Sequence, residues 1–139
     1  MPRRPSLLLV VVVVVLGLGL VGPGAGVATA KDGDGDRAET RVSGRCSGAG
    51  TAQLRLRARD GAIRLDFDAR RVSTRARWRV VVVQERRVVA RLTVRPSSSG
   101  LSVRRTLRDL PGSDAISVRA TGPGGASCTA AATLAGTTD

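Results

Sequence analysis

The sequence predicts an all-β protein: a seven-strand antiparallel sandwich of two sheets that follows an N-terminal signal helix. Three observations support this fold class. Apolar and polar residues alternate with period two from residue 53 onward, which is typical of strands with one buried face. Turn-forming residues separate these segments at intervals of roughly 9 to 14 residues. No segment after residue 30 has a convincing helical period.

The first thirty residues have the three parts of a secretory signal peptide. The pair Arg3-Arg4 precedes an unbroken apolar run over 7–21, and Ala28 and Ala30 occupy the small-residue positions that signal peptidase recognises. We expect cleavage after Ala30 and a secreted, extracellular or cell-envelope protein. The alternative is an uncleaved membrane anchor, although the apolar run is shorter than the roughly 20 residues of a spanning helix. Contact with a membrane is expected only through such an uncleaved segment.

The rest of the chain divides into a flexible polar arm over 31–45, a sandwich domain over 46–135 and a short tail over 136–139. Cys46 and Cys128 are the only cysteines. An even cysteine count in an exported chain predicts a disulfide. Because neither histidine nor a C-x-x-C spacing accompanies them, we do not expect a metal-binding or reactive thiol pair.

Seven segments carry the alternation, and their inward-facing residues are expected to form the core. Strand by strand, these residues are Leu54, Leu56 and Ala58; Ile63, Leu65 and Phe67; Ala76, Trp78, Val80 and Val82; Val88, Ala90, Leu92 and Val94; Leu101, Val103 and Leu107; Ile116, Val118 and Ala120; and Ala126, Cys128, Ala130, Ala132 and Leu134. Asp60-Gly61 predicts a hairpin turn between the first two strands. The alternation slips at Arg104-Arg105, which predicts a bulge in the fifth. Trp78 alternates with arginines and is predicted to be a core anchor.

Parts of this layout resemble immunoglobulin-like and fibronectin type III-like sandwiches. Arg77-Trp78-Arg79-Val80 puts the only tryptophan on the third strand, and Leu110-Pro111-Gly112 is similar to the turn before the sixth strand of fibronectin type III domains. The layout also resembles small exported proteins of high-GC bacteria without assigned function. The resemblance implies an immunoglobulin-like sandwich but carries no catalytic or binding residue. The cysteines depart from the antibody pattern, since they precede the first predicted strand and lie in the last.

The composition excludes several classes of function. The chain has no histidine, asparagine or tyrosine, and Phe67 and Trp78 are its only aromatic residues. Histidine-based triads, imidazole metal sites and N-glycosylation are therefore excluded, and there is no aromatic platform for single-stranded nucleic acid. We expect a protein that is not an enzyme and that binds no cofactor and no metal, with a small hydrolase as the third-ranked alternative.

The basic excess is the strongest functional signal. There are 23 Lys+Arg against 11 Asp+Glu, a formal net charge of +12, and only Lys31 is lysine. The candidate anion-binding residues on predicted outward faces are Arg55, Arg57, Arg59, Arg64, Arg77 and Arg79, with Arg91 and Arg95 also facing outward. Guanidinium groups match the geometry of phosphates and carboxylates.

Two functions follow from this excess. The first is a non-catalytic secreted or cell-envelope binding or structural module, whose arginines reflect a GC-rich genome and keep strand edges soluble. The alternative is a specific polyanion-binding module for teichoic acid, anionic lipid or nucleic acid, the partner being an anionic envelope polymer. Clustering of arginines on one sheet favours the alternative, whereas pairing with acids favours the first.

Two acidic patterns are weaker candidates. Asp32, Asp34 and Asp36 have the alternate spacing of a calcium loop, but Arg37 stands where that loop needs glycine, so we expect a solvated arm. Asp66 and Asp68 project from one face of one strand, about 7 Å apart. This spacing permits acid–base chemistry in principle. We expect ordinary pairing with arginines on neighbouring strands instead.

Overall fold

The structure, a computed structural model, describes residues 38–136 as an all-β protein of two antiparallel sheets. Its strands are β1 (Glu39–Ser43), β2 (Arg45–Cys46), β3 (Thr51–Arg59), β4 (Ala62–Arg70), β5 (Trp78–Gln84), β6 (Arg87–Val94), β7 (Leu101–Arg108), β8 (Asp114–Thr121) and β9 (Ser127–Leu134), with one 3-10 turn at Pro123–Gly125. The predicted signal peptide, its cleavage site at Ala28 and Ala30, and the three aspartates of the arm lie outside the described residues. Within 38–136, no helix has the length and apolar character to span a bilayer.

The strands form a four-stranded sheet in the order β1-β3-β4-β7 and a five-stranded sheet in the order β2-β9-β8-β5-β6. Every pairing is antiparallel. The chain crosses between the sheets after β1, β2, β4, β6 and β7, so the two inner faces enclose one core. The predicted two-sheet sandwich is therefore confirmed, with nine strands in the described residues rather than seven.

The two additional strands lie in 39–46, most of it within the segment predicted to be a flexible arm. β1 pairs along its whole length with β3, and its Val42 packs against the core. β2 follows after one residue and pairs with β9 in the other sheet. Gly44 makes this change of sheet possible, because a side chain there would collide with the carbonyl oxygen of Thr129. Within the described part of the predicted arm, β1 and the first residue of β2 therefore lie in edge strands of the two sheets.

The core consists of the inward residues of the alternating strands. Its largest fully buried side chains are Trp78, Phe67, Leu54, Leu56, Ile63, Leu65, Leu101, Ile116, Leu134, Val80, Val82 and Val118. All twelve were predicted to face inward. Trp78 is the predicted anchor: its indole N–H donates a hydrogen bond of 2.9 Å to the carbonyl oxygen of Ser73. Gly122 packs so closely on the indole ring that any side chain there would displace it.

The hairpins show how local sequence sets strand direction. Asp60 and Gly61 both have positive φ, 54° and 72°, so the predicted Asp-Gly turn joins β3 to β4. Glu85 and Arg86 make the same kind of turn between β5 and β6, with φ of 46° and 63°, although neither is glycine. The second turn is therefore more strained than the first.

The predicted bulge in the fifth strand is wrong. β7 pairs with β4 in continuous register, and Arg105 occupies an inward position at this sheet edge, where its side chain stays exposed. The irregularity lies instead in β6, where Val82 pairs with Ala90 but Val83 pairs with Val88. The extra residue turns Val88 outward, contrary to its predicted inward position, because a bulge shifts the alternation by one residue.

The predicted disulfide is present. Cys46 and Cys128 face each other across β2 and β9, with 4.0 Å between their Cα atoms and an S–S bond of 2.06 Å. The bridge lies within the five-stranded sheet and does not cross between sheets as it does in antibody domains. It fastens a strand of only two residues to the sheet.

Candidate anion-binding surface

The structure divides the six candidate arginines between two surfaces. Arg55, Arg57 and Arg59 of β3 and Arg64 of β4 lie on the outer face of the four-stranded sheet, which we call the four-stranded face. Arg79 lies on the outer face of β5 in the other sheet, here the five-stranded face, with Arg77 just before that strand. The candidates therefore do not form one cluster.

Three arginines on the four-stranded face, Arg55, Arg57 and Arg104, are paired with acids of its strands. Arg55 donates two hydrogen bonds to the Glu39 carboxylate, at 2.8 and 3.1 Å. Asp66 lies between Arg57, at 3.0 Å, and Arg104, at 3.6 Å. The Asp66 side chain is only 16% exposed, so its charge is held within this group. The expected pairing with neighbouring arginines is confirmed for Asp66, whereas Asp68 is in none of the four ion pairs within 38–136. The acids offset part of the face's positive charge.

The pKa of Glu39 reflects this pairing. The hydrogen bond from Arg55 lowers the pKa of the Glu39 carboxyl below its ordinary value, with a smaller opposing effect of burial. The charges of Arg57 and Arg41 act in the same direction as Arg55. Glu39 is therefore ionised at neutral pH and holds β1 against β3.

A shallow depression crosses the four-stranded face. It is lined by Arg41, Gln53, Arg55, Arg57, Arg64, Asp66, Asp68 and Arg104. Because two carboxylates share this lining with the guanidinium groups, an incoming anion would meet both attraction and repulsion. Arg64 lies opposite Arg57 in the ladder, and within 38–136 no ion pair is formed by it.

The five-stranded face carries a different pattern, a row of residues that crosses all five strands. Cross-strand pairing sets Arg45, Thr129, Arg119, Val81 and Arg91 side by side in that order. Arginine therefore recurs on every second strand, at intervals of about 10 Å given the strand spacing of about 4.8 Å. We call Arg45, Arg119 and Arg91 the arginine row.

This face has no carboxylate of its own among the described residues. Asp114 of β8 points into the core, and Glu85 lies in the turn at the end of the face. The Glu85 carboxylate accepts a 2.6 Å hydrogen bond from the backbone N–H of Ala115. All four ion pairs within 38–136 belong to the four-stranded sheet or its Asp60 turn, and none includes a residue of the arginine row. Among the described residues, the row therefore presents positive charge that no ion pair offsets.

Arg77 and Arg79 meet at one end of the five-stranded face. They line a shallow depression together with the hydroxyl side chains of Thr93 and Thr121 and with 122–123. Two guanidinium groups beside two hydroxyls form a donor-rich lining that suits a phosphate or carboxylate. Of the candidate arginines, these two lie where no carboxylate shares the lining.

Sequence reasoning missed part of this surface. Arg45 was assigned to the flexible arm, and only its pairing with β9 brings it into the row. Arg119 stood at an outward position of the sixth predicted strand, so its alternation with Ile116, Val118 and Ala120 was an available signal. Which strands share a sheet follows from long-range pairing, which alternation alone does not encode.

A buried polar cluster was also missed. The side-chain amide of Gln84, 4% exposed, donates to the Asp114 carboxylate at 2.6 Å and to the backbone carbonyl of Arg108 at 2.7 Å. The other Asp114 oxygen accepts from the backbone N–H of Leu110 at 3.3 Å. The pKa of Asp109 is raised, first by burial and then by its hydrogen bond to Asp114 and the charge there. These contacts fix the crossing from β7 to β8.

Asp66, one of the two aspartates considered for acid–base chemistry, contacts two arginines, at 3.0 and 3.6 Å. Within 38–136 no group of three or more acidic or cysteine side chains is placed to hold a metal ion. The outer faces of both sheets present arrays of guanidinium groups.

Comparison with known proteins gave no match among family models, curated proteins or solved structures. The resemblance to immunoglobulin-like and fibronectin type III-like proteins therefore stays a prediction, and the surface is interpreted from its own chemistry.

Proposed function

We propose that the protein is a non-catalytic, exported binding module that holds an extended polyanion against its five-stranded face. The observation that carries this proposal is the arginine row on a face that has no carboxylate within residues 38–136. Arginines at regular intervals engage a repeating anion at several points, and each contact releases bound counterions. The alternative of a purely structural basic module is favoured by the four-stranded face, where Arg55, Arg57 and Arg104 are paired with acids.

Export and fold class belong to the same proposal. The signal-like first thirty residues support secretion, and a disulfide is typical of proteins that fold in an oxidising compartment. An immunoglobulin-like assignment is supported by the antiparallel two-sheet sandwich and by the buried tryptophan on β5. The module is proposed to act outside the cell or in its envelope.

The test compares two triple variants with equal loss of charge. The first replaces the arginine row, Arg45→Gln, Arg91→Gln and Arg119→Gln. The control replaces the corresponding ladder row of the four-stranded face, Arg41→Gln, Arg55→Gln and Arg104→Gln. Oxidised protein is titrated with teichoic acid and with duplex DNA across a salt series, after thermal unfolding has verified that both variants fold.

We expect the row variant to bind about 30- to 100-fold more weakly at physiological salt, on the order of one kcal/mol for each arginine. Its salt slope on DNA is expected to fall by about 2 to 3, since three phosphate contacts are lost. The control variant is expected to change affinity less than about threefold, because two of its three arginines, Arg55 and Arg104, are paired with acids. Equal loss in both variants, or no loss in either, would contradict the proposal.

A further inference from the structure

The five-stranded face ends in an apolar patch at the β5–β6 hairpin. Val81 and Val83 face outward from β5, and Val88 lies directly opposite Val83. Val88 and Val89 are 43% and 44% exposed, and they are the exposed large hydrophobic residues of the described chain. The bulge in β6 is what turns Val88 to the surface. We call these four residues the valine patch.

Arginines surround the valine patch. Arg79 and Arg91 flank it along β5 and β6, and Arg119 lies beside Val81 on β8. The exposed side chains of Arg86 and Arg87 lie at the hairpin tip. The nearest acid in sequence, Glu85, is occupied by its hydrogen bond to the backbone of Ala115. An exposed apolar patch with a cationic rim marks an interaction surface.

The chemistry of the patch distinguishes among anionic partners. A hydrated polymer such as nucleic acid or teichoic acid gains binding energy from the arginines but buries little apolar surface against valines. A bilayer containing anionic lipids matches both features, because phosphates lie above an apolar layer. Long arginine side chains reach upward to headgroups while their neighbours enter the apolar region.

We propose that the β5–β6 hairpin docks this face on the surface of a bilayer that contains anionic lipids. Val88 and Val89 enter the boundary between headgroups and acyl chains, and Arg79, Arg91 and Arg119 contact lipid phosphates. This inference rests on the proposed function, since it uses the same arginines and names a lipid surface as their partner. It adds an apolar contribution that salt does not screen.

The experiment measures co-sedimentation of the oxidised protein with vesicles, either of phosphatidylcholine alone or of phosphatidylcholine mixed with phosphatidylglycerol. The variant is Val88→Ser with Val89→Ser. The matched control is Val88→Leu with Val89→Leu, which keeps the patch apolar. Each protein is also titrated with soluble teichoic acid, and each is measured at low and high salt.

We expect the serine variant to bind the anionic vesicles about tenfold more weakly, since two half-exposed valines no longer add apolar burial. Its affinity for teichoic acid should be unchanged. The leucine variant should bind vesicles at least as tightly as the wild type. Wild-type binding to anionic vesicles should also survive high salt better than binding of the serine variant.

Three outcomes would overturn the inference. Undiminished vesicle binding by the serine variant would leave the face with a soluble polyanion as its partner, and the proposed function would stand. Equal binding to neutral and anionic vesicles would remove the role of lipid charge. If the wild type dimerises and the serine variant does not, while vesicle binding is unchanged, the valine patch is a contact between two copies of the chain. Failure of the proposed function is separate, since it is judged from the teichoic acid affinities of the arginine-row variant and its control, in which all four valines are kept.

Discussion

The strands of the four-stranded face carry more outward arginines than those of the five-stranded face, but among the described residues only the four-stranded face also carries acids in its strands. On the four-stranded face, Glu39 and Asp66 stand within ion-pair distance of Arg55, Arg57 and Arg104. On the five-stranded face the positions between the arginines of the row are Thr129 and Val81. Net charge alone therefore does not define a binding surface. The placement of carboxylates among the arginines decides whether a guanidinium group is available to an external anion.

The largest expected effect comes from the disulfide, which is present in only one of the two sheets. In Cys46→Ala with Cys128→Ala, the free energy of unfolding should fall by roughly 4 kcal/mol, because the bridge spans a sequence separation of 82. β2 is only two residues long, so its release also frees Arg45 from the row. Urea unfolding of oxidised wild type and variant measures the change. A loss below about 1 kcal/mol would contradict the assigned role.

The next largest effect is expected from removing the charge of Asp66, the acid that pairs with two arginines of the four-stranded face. In Asp66→Asn, Arg57 and Arg104 lose their ion pairs, and stability should fall by about 1 to 2 kcal/mol. The four-stranded face would then become a better polyanion surface, and affinity for teichoic acid should rise severalfold. Urea unfolding and titration measure the two changes. In Asp68→Asn, which removes the same charge from a residue outside the four ion pairs of the described chain, stability should change by less than about 0.5 kcal/mol. Unchanged polyanion affinity in Asp66→Asn would show that pairing with acids does not control access to the arginines.

The converse change introduces an acid into the arginine row. Thr129 lies between Arg45 and Arg119 on the five-stranded face. In Thr129→Glu, a carboxylate between two guanidinium groups should weaken binding of teichoic acid by about fivefold, which corresponds to about 1 kcal/mol of charge interaction. Thr129→Gln is the control of matched size and should bind like the wild type. Equal effects of glutamate and glutamine would make the change steric rather than electrostatic.

Low pH should lower the free energy of unfolding through the loss of the Glu39–Arg55 pair on the four-stranded face. The pKa of Glu39 is lowered by its hydrogen bond from Arg55, so its contribution to stability is complete above the ordinary value of about 4.5 and is lost as the pH falls through the lowered pKa. The pKa of Asp109 is raised by burial and by Asp114. The stability that protonated Asp109 contributes is therefore present at low pH and is lost as the pH rises through the raised pKa. Urea unfolding across a pH series should show the acid-side slope flatten in Glu39→Gln and the opposite slope flatten in Asp109→Asn. An unchanged profile in Glu39→Gln would show that Arg55 does not hold this carboxylate in solution.

The sequence predicted the core better than the surface for a physical reason. Each central strand buries one face, so period-two alternation marks inward residues such as Leu54 and Ile63 without knowledge of their partners. β1 and β2 were missed because they are short edge strands in which apolar residues are few, so no alternation is visible. The bulge at Val88 was missed because a run of valines has no polar residue to mark the shift.

Predictions about sites depended on information that alternation lacks. Alternation identified Arg55, Arg57 and Arg79 as outward residues, but the partition of strands between sheets decides which of them meet an acid. Polar residues also mislead where they are buried. Gln84 and Asp114 are not among the apolar positions predicted to face inward, yet they hydrogen-bond to each other inside the fold, since a buried polar group needs a partner.

The smallest expected effect concerns the turn at the end of each sheet. The Asp60-Gly61 turn uses residues that suit positive φ, whereas Arg86 adopts a φ of 63° with a full side chain. Arg86→Gly should therefore stabilise the protein by about 0.5 to 1 kcal/mol, measured by urea unfolding. If the hairpin docks on anionic lipid, the same change should weaken vesicle binding, since a cation is lost from the tip. If Arg86→Gly gains stability but loses vesicle binding, the strained Arg86 serves binding at this surface and not the stability of the fold. A loss of stability would show that Arg86 adopts this conformation without strain.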